Sequence, residues 1–206
     1  ESGARTTLCD RLGFDCASYA AKFSRTECMR TFFEFSKNQF TKNVCSTNYL
    51  QLCISSKNSD WKSVVECFEW LVSKGVDISN SHHDSGRTLL MNSIQTVNRS
   101  VERIDFVVQA IHKSTGAPIV DIVNEKLYPK TMLWKFFRQY TNVSSLFRLG
   151  HLYDRRKNPA MFSLQLLWGM TALHFAFGAG CAPIVYRLVE LGADVNAKND
   201  LGMSCM

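Results

Sequence analysis

Apolar residues along this chain recur at intervals of three and four, in short runs separated by polar residues and glycines. Val64, Val65, Phe68, Leu71 and Val72 share one side of a predicted helix, and Gly75 stands where that helix should stop. A second run is shaped alike. Ile184, Val185, Leu188, Val189 and Leu191 give a broad apolar face, Pro183 suits the first turn, and Gly192 is placed to end the helix in a left-handed conformation. Just upstream, Leu173, Ala176 and Phe177 fall on one side of a shorter helix, which Thr171 can cap with its hydroxyl and which Gly178 to Gly180 interrupts. The pattern returns in weaker form from Ile104 to Gly116. These patterns predict helices in pairs, and the fold class is all-α.

The pairs repeat. With Thr171 as anchor, Asp15, Asn48, Thr88, Thr131, Thr171 and Ser204 occupy equivalent places, at spacings of 33, 40, 43, 40 and 33 residues. Two residues after successive anchors come Ala17, Leu50, Leu90, Leu133 and Leu173; five residues after come Ala20, Cys53, Ser93, Phe136 and Ala176. Four of these last five are small, as a close contact between neighbouring helices requires. Phe136 is not, so the fourth copy is expected to pack differently. A period of about 33 residues, with insertions of about seven to ten in the longer intervals, indicates stacked units that cannot bury their apolar faces alone.

The most regular copy reads Gly169-Met170-Thr171-Ala172-Leu173-His174-Phe175-Ala176, then Gly192-Ala193-Asp194-Val195-Asn196, then Asn199-Asp200-Leu201-Gly202. It resembles an ankyrin repeat, whose G-x-T-P-L-H-x-A is matched everywhere except Ala172, where proline is usual. The resemblance is closest over 169–202, looser over 10–35 and 86–93, and faint from 136 to 168. It implies an ankyrin-repeat solenoid of about five helix-turn-helix repeats with hairpin-like connectors and extended inter-repeat loops. The expected organisation is one domain over 1–206, with repeats at approximately 10–42, 43–82, 83–125, 126–165 and 166–198 and a partial repeat at 199–206. The opening Glu1 and the truncated last repeat read as a fragment of a longer protein.

Composition narrows the class without identifying the activity. The chain is 46% hydrophobic and 20% charged, which excludes disorder for its bulk, and four prolines with eleven glycines exclude collagen-like or linker material. Eight cysteines invite a disulfide framework, but there is no C-x-x-C pair and no opening signal peptide. Cys28, Cys53 and Cys67 fall where a helix takes a small apolar residue, so buried thiols in a reducing compartment are expected. The expected localisation is intracellular and cytoplasmic. The uncharged stretch from Asn158 to Tyr186 is long enough to cross a bilayer, yet Gln165, His174, Pro183 and three glycines favour a buried helical pair.

No catalytic constellation, cofactor motif or metal-ligand spacing emerges. His82 and His83 read as exposed connector residues rather than ligands. His174 could act as a base towards Cys181, but the ankyrin resemblance implies that this histidine orders the helix start by hydrogen bonding. A non-enzymatic module that binds a protein partner, an intracellular scaffold or adaptor, is the leading expectation.

Two surfaces are candidates for that binding. In ankyrin repeats the residue just before the small helix position faces the concavity, which here implies Tyr19, Leu52, Asn92, Lys135 and Phe175. Exposed aromatics there would anchor a partner; covering by neighbouring connectors is the alternative. The second surface is the basic stretch from Glu125 to Lys157, where eight basic residues against two acidic ones carry a charge equal to the whole chain's +6. Arg138, Arg148, Arg155, Arg156 and Lys157, with Tyr128 in the connector, would favour an acidic partner. The alternative is an anionic ligand (lipid headgroup, nucleotide or nucleic acid), with nucleic acid or a membrane surface as the less favoured partners; a simply solvated stretch is the third. A further alternative is the recognition arm of a larger enzyme, channel or pathogen effector.

Leu188 lies six residues before Asp194-Val195-Asn196, which resembles the pattern modified by the oxygen-dependent asparaginyl hydroxylase of ankyrin repeats. Asn196 would be its target, while Leu71 and Asp77-Ile78 are followed by Ser79, which offers no acceptor. The alternative is that these residues are simply the ankyrin consensus. If the site is used, the Asn196 peptide in protein from its own cells carries the mass of one added oxygen. A peptide mass spectrum with Asn196 unmodified would contradict this.

Overall fold

The computed structural model describes residues 8–11, 14–36, 48–56, 60–78, 86–96, 99–127 and 168–205. Nine helices lie among them: α1 (Cys16–Lys22), α2 (Thr26–Phe35), α3 (Tyr49–Ile54), α4 (Trp61–Ser73), α5 (Leu89–Ile94), α6 (Val101–Thr115), α7 (Ile119–Asn124), α8 (Ala172–Gly178) and α9 (Ala182–Glu190). The described residues contain no strand; one antiparallel bridge, Lys198 to Ser204, closes the last hairpin.

The short helices α1, α3, α5 and α8 begin at the anchors read from the sequence, Asp15, Asn48, Thr88 and Thr171. Each anchor is extended, so its side chain can turn back on the first helical N–H groups. Asp15 Oδ1 accepts from the Ser18 N–H at 2.7 Å, Asn48 Oδ1 from Leu50 at 2.9 Å and Thr88 Oγ1 from Met91 at 3.2 Å. The longer helices α2, α4, α6 and α9 fold back against their short partners. Gly116 ends α6 at φ +70°, a conformation open to glycine at no steric cost.

The short helices stack side by side in the order α1, α3, α5, α8, with α2 on α4 and α6 on α9 in a second layer. Ala17, Leu50, Leu90 and Leu173, each two residues into its repeat, are buried between the layers. Cys53, Ser93 and Ala176 are fully buried at the small position and Ala20 half-buried, so the helices can approach closely. Trp61 and Phe68 of α4 meet the Phe106 ring of α6 edge-on at 5.4 and 5.2 Å. The buried Arg103 donates from Nη1 to the Ile54 carbonyl at the end of α3 (2.8 Å) and lies 4.9 Å over the Trp61 ring, so it satisfies an orphan carbonyl and joins two repeats.

Among the described residues the third pair, α5 and α6, packs directly on α8 and α9. After α6 the chain makes α7 against α6 and α8. The Leu127 N–H then donates to the Met170 carbonyl (2.8 Å), and the Gly169 N–H donates back to the Leu127 carbonyl (3.0 Å). Asn124 fixes this junction by donating to the Gly192 carbonyl and accepting from the Asp194 N–H, at 2.9 and 2.8 Å. Leu127 and Gly169–Met170, on either side of residues 128–167, are therefore neighbours. The repeat expected over 126–165, with its Thr131 anchor, lies outside the described residues after Leu127.

Smaller expectations also shift. Phe177 is exposed, because α8 is enclosed over its first five residues and Phe177 lies past that enclosure. Val189 is exposed at the edge of the α9 face. Cys53 and Cys67 are buried, but Cys28 is exposed, because α2 turns Thr26 and Met29 inward. No described helix is long and apolar enough to cross a membrane.

Because Leu127 and Gly169 adjoin, replacing 128–167 by a four-residue Gly/Ser turn should leave a cooperatively folding protein. The shorter connection should hold its stability or raise it by up to about 2 kcal/mol. Circular dichroism and urea unfolding check this, and loss of cooperative unfolding would contradict it.

Candidate functional site

The fourth residue after each anchor forms the row expected to face a partner, and the structure makes it uneven. Tyr19 is 43% exposed, with its ring edge-on to Phe14 at 6.1 Å. Its hydroxyl donates to Asp10 Oδ2 at 2.6 Å, and this bond to a carboxylate raises the phenol pKa. Asn92 is half-buried. Leu52 and Phe175 are only 9% and 5% exposed, which corrects the expectation of a continuous exposed row. Leu52 is covered because all six residues of α3 are buried between its neighbours. Phe175 is roofed by the Arg87 guanidinium, 5.8 Å from its ring, which reaches over from the connector before α5.

His174 is enclosed at the start of α8. Its Nδ1 accepts from the Thr171 N–H at 3.2 Å and lies 2.9 Å from the Thr171 hydroxyl, while Nε2 lies 3.3 Å from the Met203 carbonyl. The tautomer protonated on Nε2 satisfies both sides. The imidazole thus ties a helix start to the following hairpin and has no nitrogen left to activate Cys181.

Beside His174 a cleft of about 410 Å³ opens between the end of α5 and α8, lined by Gln95, Arg99, Met170, His174, Phe175 and Ala179. Arg99 Nη1 donates to the Ala179 carbonyl at 2.7 Å, and Arg87 Nη1 donates to Gln95 Oε1 at 2.6 Å. A second cleft of about 610 Å³ lies on the outer layer between α4 and α6, lined by Phe68, Val72, Ile78, Phe106 and Lys113 among others. Asn196 is exposed, and its N–H donates to Asp194 Oδ1 at 2.8 Å. Tyr128, Lys135, Arg138, Arg148, Arg155, Arg156 and Lys157 lie outside the described residues, as do His82 and His83.

This geometry has known counterparts. The sequence profile of the Ankyrin repeat matches residues 168–200. Among solved structures, the ankyrin repeat domain of Bcl-3, described as a unique member of the IkappaB protein family, matches over 98% of this chain with a TM-score of 0.56 and 19% identity. This chain carries an ankyrin repeat at 168–200 and has the ankyrin-repeat fold. It spans 66% of the length of the Bcl-3 domain. Among curated protein sequences nothing matches it.

Within the ankyrin frame, sequence reasoning missed Arg87, Gln95 and Arg99. Arg87 stands one residue before the Thr88 anchor and Arg99 one before Ser100, the N-cap of α6. Single arginines in connectors create no periodicity, and only the fold brings them to one cleft.

His174→Ala would leave the buried Thr171 N–H without its acceptor and should cost about 1–3 kcal/mol. A urea midpoint equal to wild type would contradict the role of this side chain at the helix start.

Proposed function

We propose that this chain is a non-catalytic protein-interaction module, a scaffold or adaptor that receives its partner along the inner-helix layer. Ankyrin repeats in general serve as protein-interaction modules, and stacked repeats offer one extended surface built from short helices and connectors. The observation that carries the reading is Tyr19. A large ring is left exposed at one end of the row, and its hydroxyl is held by Asp10 at 2.6 Å. Such a ring loses little freedom on binding and buries a large apolar area, the property that makes aromatic side chains anchors at interfaces. Asn92, half-buried further along the same row, supplies a polar contact.

Tyr19→Ala with Asn92→Ala changes two row residues that are not fully buried, so the fold should survive, as circular dichroism can verify. In affinity capture from lysate at high salt, wild type should retain a discrete protein that the double variant retains about tenfold less. Equal retention by both would contradict the inner row as the interface. Recovery of nucleic acid or anionic lipid that washes off with salt, in place of a protein, would contradict the protein-binding reading itself.

A further inference from the structure

We propose that the cleft between α5 and α8 binds a carboxylate side chain of an acidic protein segment, gripped by Arg87 and Arg99. This rests on the inner layer being the binding surface and names the chemistry that the partner brings to it.

Two arginines arrive at this cleft from separate connectors and are fixed there by neutral groups. Arg87 is held by Gln95 Oε1 at 2.6 Å and lies 5.8 Å from the Phe175 ring; Arg99 is held by the Ala179 carbonyl at 2.7 Å. Gln95, Phe175, Ala179 and Arg99 itself all line the cavity. A guanidinium carries five N–H donors in a planar fork, and these bonds occupy one Nη of each. Among the described residues neither arginine meets a carboxylate. Arg30, by contrast, pairs with Glu27 and Glu66, and Arg187 pairs with Asp105 and Glu190. Two positive charges are thus fixed at one opening with no counter-charge among the described residues.

The surroundings make that arrangement costly for an empty site. Arg87 is partly buried, desolvation pulls its pKa down, and its Nε is buried with no hydrogen-bond partner among the described residues. An anion delivered into the cleft would offset the desolvation of the guanidinium.

The walls select the kind of anion. Met170 and Phe175 are apolar, and His174 has both nitrogens engaged, so Arg99 is the charged group of the lining, with Arg87 beside it on Gln95 and Phe175. A cleft of about 410 Å³ has room for one or two side chains. Two cations beside an apolar wall suit a carboxylate on a short aliphatic stem, which a planar fork can grip bidentately. A nucleic-acid backbone would need a longer track of cations.

The probe is acetyl-Glu-Phe-amide, titrated into the full chain while the Arg87 and Arg99 Nε–Hε resonances are followed by ¹⁵N NMR. Acetyl-Gln-Phe-amide, inorganic phosphate and a short single-stranded DNA serve as parallel arms. Saturable shifts at both arginines with the Glu probe alone are expected, and Arg87→Gln or Arg99→Gln should each weaken its binding about tenfold or more. Arg99→Lys, which keeps the charge and removes the fork, should also weaken it. Equal shifts with the Gln probe, shifts at neither arginine, or preferential binding of phosphate or DNA would overturn the carboxylate assignment. Such a failure would leave the inner-layer reading to its own test at Tyr19 and Asn92, which neither arginine substitution touches.

Discussion

A helix of six residues does not persist alone in water, because nucleation fixes several residues for the return of one or two hydrogen bonds. Two of the inner helices here, α3 and α5, have that length, and α1 and α8 are one residue longer. Each exists because at least one other lies against it, on both sides for α3 and α5, and a longer helix closes behind it. That requirement fixes the residue types at three points of the repeat. A polar side chain must cap the start, an apolar one must point into the layer two residues on, and a small one must sit five residues on. Cys53, Ser93 and Ala176 are fully buried for that reason. The same enclosure limits what the inner layer can show a partner, since a helix buried at all six positions presents almost nothing. The proposed recognition sites lie instead at the edge of the row, at Tyr19, and on connector side chains that reach over it, such as Arg87 and Arg99.

The segment 128–167 begins and ends at one place. Reciprocal backbone bonds join Leu127 to Gly169 and Met170, and Asn124 locks the preceding helix to the turn at Gly192–Asp194. The cost of closing a loop rises only with the logarithm of its length, so extra residues here add little once the closing contacts exist. Arg187 of α9 reaches Asp105 of α6 at 2.7 Å across 82 residues of sequence, a pair that forms only because those two helices are neighbours.

Much of the architecture was legible in the residues, because capping and small-residue packing are local rules. Asp15, Asn48, Thr88 and Thr171 look unalike as side chains but share the ability to accept from a helical N–H, and all four start helices. Thr131, Leu133 and Phe136, read as a fourth copy, lie outside the described residues; among those described, the stack passes from α5 directly to α8. Exposure was the least legible property. Phe175 occupies the row position equivalent to Tyr19, yet a guanidinium from the neighbouring connector covers it, and no pattern within its own repeat encodes that. Cys28 missed the buried stripe of α2 by a single position, between Thr26 and Met29.

The central claim is that one continuous row of helices runs α1, α3, α5, α8, with Leu127 paired to Gly169 and Met170 beside it. A NOESY spectrum of isotopically labelled protein tests it directly. The expected result is cross-peaks joining side chains of α5 with α8 and of α6 with α9, together with backbone cross-peaks between Leu127 and Gly169–Met170. Cross-peaks from α8 and α9 only to residues within 128–167, with none to α5 or α6, would contradict it.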